Sequence, residues 1–187
     1  GLSIQVRALF GLRGCRPRPP EPALPQVAAG RVVLVCGPSG SGKTRLLRRL
    51  RRRLGGRGVW LEGLRLPRGP LVDALADLGL DGAMRLLARC GLGEAWSMVE
   101  PAGGLSAGER WRARLALGLA QAGRRGGAIL LLDEFASVLD RVAACAAART
   151  LRRVVDETPH LGAVAASGHD DLERAMRPDV VVRLDDR

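Results

Sequence analysis

The sequence contains no tyrosine, no asparagine and a single lysine. Of its 30 basic residues, 29 are arginine, a skew most simply ascribed to GC-rich codon usage. Arginine abundance therefore does not by itself indicate nucleic-acid binding. Cysteine is sparse and scattered (Cys15, Cys36, Cys90, Cys145), with no C-x-x-C pair and only His160 and His169 beside it. A zinc site or a disulfide framework has little support, and reduced thiols in a cytoplasmic protein are expected. Long apolar runs are also missing. The longest stretch without a charged residue, Thr158 to His169, has 12 residues, too few to cross a bilayer as a helix. No charged-then-apolar leader opens the chain, so direct membrane insertion is not expected. What is present is ordinary globular material: 187 residues, 47% hydrophobic and 26% charged, with a net charge of +11. That length and composition fit one compact domain with a real core.

The lone lysine is conspicuous because arginine serves everywhere else. Lys43 lies in Gly37-Pro38-Ser39-Gly40-Ser41-Gly42-Lys43-Thr44, which fits G-x-x-x-x-G-K-[ST]. Such a loop wraps backbone N–H groups around a phosphate chain, and the following helix adds its positive end. A compact ammonium enters that space where a planar guanidinium does not. Lys43 would reach the β- and γ-phosphates of ATP, and Thr44 would ligate Mg²⁺. In a chain this rich in glycine, a chance match is expected on the order of once in a thousand sequences. Gly37 through Thr44, with Arg45 adjoining, form the candidate nucleotide-contacting segment.

The surrounding pattern supplies the elements this loop needs. Arg31 to Cys36 is a short apolar run, the mark of a strand buried on both faces. After the loop, Leu46, Leu47, Leu50 and Leu54 fall on one side of a helix. Strands are predicted at Val59–Leu61, Ala128–Asp133, Ala163–Ala166 and Val180–Leu184. Helices are predicted within 71–90 (two short ones), at about 107–120 and 140–155, and near Asp170. Ser3 to Phe10 alternates by two and predicts a strand, and the Pro-rich stretch 16–22 predicts a surface connection. Alternating strands and helices predict an α/β domain with a mainly parallel sheet.

Asp133 closes an apolar strand and Glu134 follows it. Carboxylates at the carboxyl end of a buried parallel strand sit where such sheets bind ligands. Asp133 would join the Mg²⁺ shell, and Glu134 would polarise an attacking water. Ser106, in Leu105-Ser106-Ala107-Gly108-Glu109, taken alone reads more readily as a plain helix N-cap than as a functional group. His169 taken alone reads more readily as a surface or capping histidine than as a catalytic one.

The order of these motifs adds to their individual weight. From the phosphate loop through Leu105–Glu109, Ile129–Glu134, Ser137-Val138-Leu139-Asp140 and His169, the chain resembles the ABC-type ATPases. Narrower likenesses at 105–116, 133–141 and 169–172 are similar to soluble members fused to predicted acetyltransferase domains. The resemblance spans about Phe10 to Leu184. It implies a P-loop NTPase fold with a mainly parallel central sheet, a small N-terminal antiparallel part and a helical subdomain at about 71–122, all in one domain over 1–187. It further implies an ATP-dependent homodimer, with a fused or partner acetyltransferase domain as a possible neighbour. In that dimer, each phosphate loop faces the other copy's Ser106 and Gly108, Asp140 lies in the aspartate loop, and Glu134 and His169 handle the water and γ-phosphate.

Three departures from the family pattern stand out. Ala107 and Glu109 replace a Gly and a Gln of the signature. No Gln occurs between Lys43 and Ser106, so the usual glutamine loop is missing. The interval from Lys43 to Leu105 is also short, and with the missing Gln it argues against a transporter subunit. With no tyrosine available, Phe10 is the candidate to stack on adenine. The arginines of 45–53 would meet nucleic acid or an acidic partner, or simply face solvent. The expected function is ATP binding and Mg²⁺-dependent hydrolysis through dimerisation. An alternative is a nucleotide-operated clamp on nucleic acid or a partner protein, with slow or vestigial hydrolysis.

Overall fold

The computed structural model describes residues 1–12, 23–169 and 171–185. Five strands form one sheet: β1 (Val32–Cys36), β2 (Gly58–Trp60), β3 (Ala128–Leu132), β4 (Leu161–Ser167) and β5 (Val180–Arg183). Their order is β2-β3-β4-β1-β5, and every pairing is parallel. Parallel strands need crossovers, and here helices supply them. They are α2 (Lys43–Leu54), α3 (Gly79–Arg89), α4 (Ala95–Val99), α5 (Ala107–Gly123), α6 (Arg141–Glu157) and α7 (Leu172–Met176).

The strands are apolar along their whole length because both faces are covered. Val33 and Val35 of β1, with Ile129 and Leu131 of β3, pack against Leu46, Leu47 and Leu50 of α2. The alternate residues Val32, Leu34, Leu130 and Leu132 turn to the opposite face, where α3, α5 and α6 cover them. Close approach of α5 to the sheet depends on Gly118. A Cβ there would lie 2.9 Å from Leu61 and 3.1 Å from Leu130. All five strands run the same way, so the loops after β1, β2, β3 and β4 emerge at one edge.

Three expectations need correction. Residues 3–10 do not form a strand: Leu2–Leu9 is a helix, α1, that buries none of its residues. No small N-terminal antiparallel part exists among the described residues. An extended segment with no neighbouring strand would leave its backbone unpaired, whereas a helix satisfies those groups internally. The more N-terminal of the two short helices expected within 71–90 is a 3₁₀ segment, Asp73–Leu78. Helix α4 had no signal in the sequence. The Pro-rich stretch 16–22 lies outside the described residues.

The edge strand β5 is fastened by a carboxylate. Asp179 accepts the Val32 N–H at 2.8 Å and an Arg152 N–H at 2.7 Å. Partial burial alone would raise its pKa, but the Val32 N–H and then Arg152 outweigh this and hold the carboxyl below its ordinary value. A carboxyl with a depressed folded pKa stabilises the fold above its unfolded pKa. That stabilisation is lost as pH falls through the folded value. Asp179→Ala leaves the Val32 N–H without an acceptor and is expected to cost about 1–3 kcal/mol in chemical denaturation at pH 7. The difference from the parent should shrink in acid, below the ordinary aspartate range.

Candidate active site

The loop from Gly37 to Gly42 joins β1 to α2 at the carboxyl edge of the sheet. Gly37 has no room for a side chain: a Cβ would overlap the Leu184 carbonyl and the Ser41 hydroxyl. Gly42 starts α2 at φ +97°, a left-handed conformation that favours glycine. Lys43 folds back across the loop, its Nζ donating to the Gly37 carbonyl at 2.5 Å and the Pro38 carbonyl at 2.7 Å. Pro38, Ser39 and Gly40 form the exposed rim, and Arg45 sits in the first turn of α2. The Ser41 Oγ is buried with no hydrogen-bond partner. An orphaned hydroxyl inside a glycine-rich cradle fits a phosphate oxygen, the acceptor this loop is shaped to take.

Next to the loop, Thr44 Oγ1 donates to Asp133 Oδ1 at 3.1 Å, joining residues 89 apart in sequence. A hydroxyl and a carboxylate at one point are hard oxygen donors of the kind Mg²⁺ takes. Because Mg²⁺ keeps several waters and substrate oxygens, two protein groups are sufficient. Among the described residues, no cluster of three or more His, Cys, Asp or Glu is arranged to hold a metal unaided.

The turn after β3 is strained and tightly held. Glu134 and Ala136 both have positive φ, +46° and +57°, uncommon for residues other than glycine. Three consecutive backbone donors are nevertheless satisfied. Asp133 N–H goes to Glu62 Oε1 at 3.0 Å, Glu134 N–H to Asp133 Oδ1 at 3.2 Å, and Phe135 N–H to the Ala166 carbonyl at 2.7 Å. The buried Phe135 ring meets Trp111 of α5 edge-on, with centroids 5.2 Å apart. Glu134 itself is exposed, its carboxylate free to meet water.

Glu62 was not foreseen. It lies just past β2, in the 3₁₀ segment Leu61–Gly63, and is exposed. Burial pushes its acid up to about 7; its own N–H, the Asp133 N–H and Arg114 of α5 oppose that rise, while the Asp133 charge adds to it. Unlike Asp133, Glu62 does not follow a strand buried along its length, since of β2 only Val59 is buried, so the rule that picks out Asp133 does not pick it out.

The remaining candidates fall in different places. His169 follows β4, the strand between β1 and β3, so it stands on the edge shared with Lys43 and Asp133. It is exposed, and its N–H donates to Ser167 Oγ at 3.0 Å. Ser106 caps α5 in a full capping box: Ser106 Oγ accepts the Glu109 N–H at 3.3 Å, and the Glu109 carboxylate accepts the Ser106 N–H at 2.9 Å. The Ser106 hydroxyl and N–H hold the Glu109 acid below its ordinary pKa. The departure from Gln at this position therefore has a local structural reason. Gly108 lies close against the aspartate loop, where a Cβ would come 3.2 Å from Leu139. Asp140 caps α6, accepting the Ala143 N–H at 2.9 Å. Phe10 is 69% exposed at the end of α1, so nothing in the single chain orients its ring toward a base.

A family model for the AAA ATPase domain matches residues 22–177. The chain belongs to the AAA ATPase domain family. Its P-loop fold is shared with ABC ATPase domains in three solved structures, each under 25% identical. One is the ATP-binding cassette MJ0796, in a dimeric post-hydrolysis state bound to ADP and Pi (17% identity, TM-score 0.63, 86% of this chain and 83% of that one). Another is a bacterial Atm1-family ABC exporter with ATP bound (18%, 0.61, 83% and 33%). The third is archaeal ribosome recycling factor aABCE1 in complex with the ribosomal stalk protein aP1 (22%, 0.63, 84% and 32%). This chain thus spans about a third of the two latter chains. No curated protein matches it. Family and fold together point to ATP binding and hydrolysis. Among the described residues no helix is long and apolar enough to cross a membrane.

The lysine geometry has a direct test. Its ammonium fits between two carbonyls at 2.5 and 2.7 Å, a space a guanidinium cannot share. Lys43→Ala and Lys43→Arg are both expected to lower ATP affinity by about tenfold or more, the loss of a charge-assisted contact. Nucleotide titration reads the effect, and an unchanged melting curve shows that the fold is retained.

Proposed function

We propose that this domain is an ABC-type ATPase that binds ATP with Mg²⁺ and hydrolyses the γ-phosphate when two copies close head to tail. The observation that carries this reading is the Thr44–Asp133 hydrogen bond, which unites the phosphate loop with an acid strand that also presents Glu134. The shared edge with His169 and the order of the motifs add support, as does the dimeric state of the ADP-bound cassette of similar fold.

The chain's own residues divide the work. The Gly37–Thr44 loop binds the phosphates, with Lys43 turning from its two carbonyl partners to the β- and γ-oxygens. Thr44 and Asp133 hold Mg²⁺, which when bound neutralises charge building on the phosphoryl oxygens. Glu134, exposed beside Asp133, accepts a proton from the attacking water and orients it in line with the leaving group. His169 contacts the γ-phosphate from the neighbouring strand. Ser106 and the Gly108 N–H reach across to the other copy's nucleotide and exclude water. The missing glutamine favours a role away from a transporter subunit. An acetyltransferase domain, fused or separate, is the partner the sequence likeness names.

Two experiments test the dimer engine. Glu134→Gln should keep ATP binding, suppress turnover by ~10²-fold or more and accumulate a nucleotide-bound dimer in size-exclusion chromatography. A variant that stays monomeric at every concentration would reject the sandwich. Ser106→Arg should cost about 1 kcal/mol of stability through the lost cap. It should leave ATP affinity near native and block dimerisation. Mixed with Lys43→Ala, it leaves one composite site intact and the other damaged twice, so partial recovery of ATPase activity is expected only if sites are shared between chains.

A further inference from the structure

We infer that Glu62 is a positioning residue of the phosphate site, holding the Asp133–Glu134 turn in its working shape through the Asp133 N–H. The inference rests on the ATPase reading and assigns this residue its role in it. Strand β2 pairs with β3 in the register Gly58–Ile129, Val59–Leu130 and Trp60–Leu131. Extending that register by two places Glu62 opposite Asp133. The backbone does not extend it, because after Trp60 the chain tightens into the 3₁₀ segment Leu61–Gly63, anchored by the buried Leu61. The Glu62 side chain therefore supplies the missing acceptor, taking the Asp133 N–H at 3.0 Å.

That contact comes just before the left-handed residue Glu134. A left-handed, non-glycine residue persists only where its surroundings over-determine it. Here the turn rests on the acceptors Glu62 Oε1, Asp133 Oδ1 and the Ala166 carbonyl. Asp133 Oδ1 also receives the Thr44 hydroxyl, so loosening the Asp133 backbone moves the oxygen that meets Thr44. Of the three acceptors, only Glu62 comes from β2 and its following loop, and no glutamine lies anywhere between Lys43 and Ser106. A purely structural carboxylate would affect stability alone. A positioning carboxylate alters metal-dependent turnover while leaving the phosphate loop's own grip on nucleotide in place.

The test compares Glu62→Ala, which removes the acceptor, with Glu62→Gln, whose amide oxygen still accepts the N–H. In nucleotide-free protein, NMR hydrogen exchange at the Asp133 amide should be about tenfold faster or more in Glu62→Ala and near native in Glu62→Gln. Glu62→Ala should also require about tenfold more Mg²⁺ for half-maximal turnover and show a lower kcat, while ATP affinity in EDTA stays within about threefold of native. Glu62→Gln should restore both. An unprotected Asp133 amide in the native chain, native-like turnover in Glu62→Ala, or a Glu62→Gln variant no better than Glu62→Ala would each overturn the assignment. A native chain that neither binds nor cleaves ATP would instead reject the ATPase reading, and with it the site that Glu62 serves. An active native chain with an unaffected Glu62→Ala variant rejects Glu62 alone.

Discussion

The functional edge of this domain depends on one hydrogen bond between residues far apart in sequence, Thr44 to Asp133. Local structure places each partner but does not by itself bring the two together. Thr44 is positioned by the glycine-permitted turn that starts α2, and Asp133 by a strand buried on both faces. The two meet because the strands are parallel, which brings every carboxyl end to the same side, and because only β4 stands between β1 and β3. Were β3 to run opposite to β1, the two groups would lie at opposite ends of the sheet.

A second set of contacts ties the helical segment between β2 and β3 to this edge. Helix α5 begins at the Ser106–Glu109 capping box, comes close to the sheet at Gly118 and presents Trp111 to the buried Phe135. Phe135 is the second residue after Asp133. Any movement of α5 along its axis therefore acts on the acid turn through an aromatic contact. Edge-to-face pairs of this kind contribute about 0.5–1.5 kcal/mol beyond their area, enough to bias a turn that is already strained.

The central layer was plain in the sequence because its signals are local. Short apolar runs gave β1 and β3, the leucine spacing gave α2, and Gly37–Thr44 gave the phosphate loop. The N-terminal segment misled because alternation by two predicts a strand only where a neighbouring strand accepts it, and none does among the described residues. Helix α4 is five residues long, below the length at which periodicity carries information. Glu62 was missed for a different reason. Its importance lies in the register between β2 and β3, a long-range relation that no single window of sequence contains. Glu109 stood out only as a departure from the family's Gln, and its pairing with Ser106 shows a helix start satisfying its own donors.

The position of β1 in the sheet also bears on how the chain folds. β1 carries the phosphate loop, yet both of its neighbours come from the far end of the chain: Val32 pairs with Ala163, and Val33 with Val180. A ribosome releasing this chain delivers β1 well before either of its partner strands, which lie far downstream. Non-local parallel pairing of this kind is slow, and an unpaired apolar strand is prone to aggregate while it waits. The arginines of α2, which follows β1 directly, keep that waiting segment strongly cationic. Charge repulsion between nascent chains then protects a strand that cannot yet be covered.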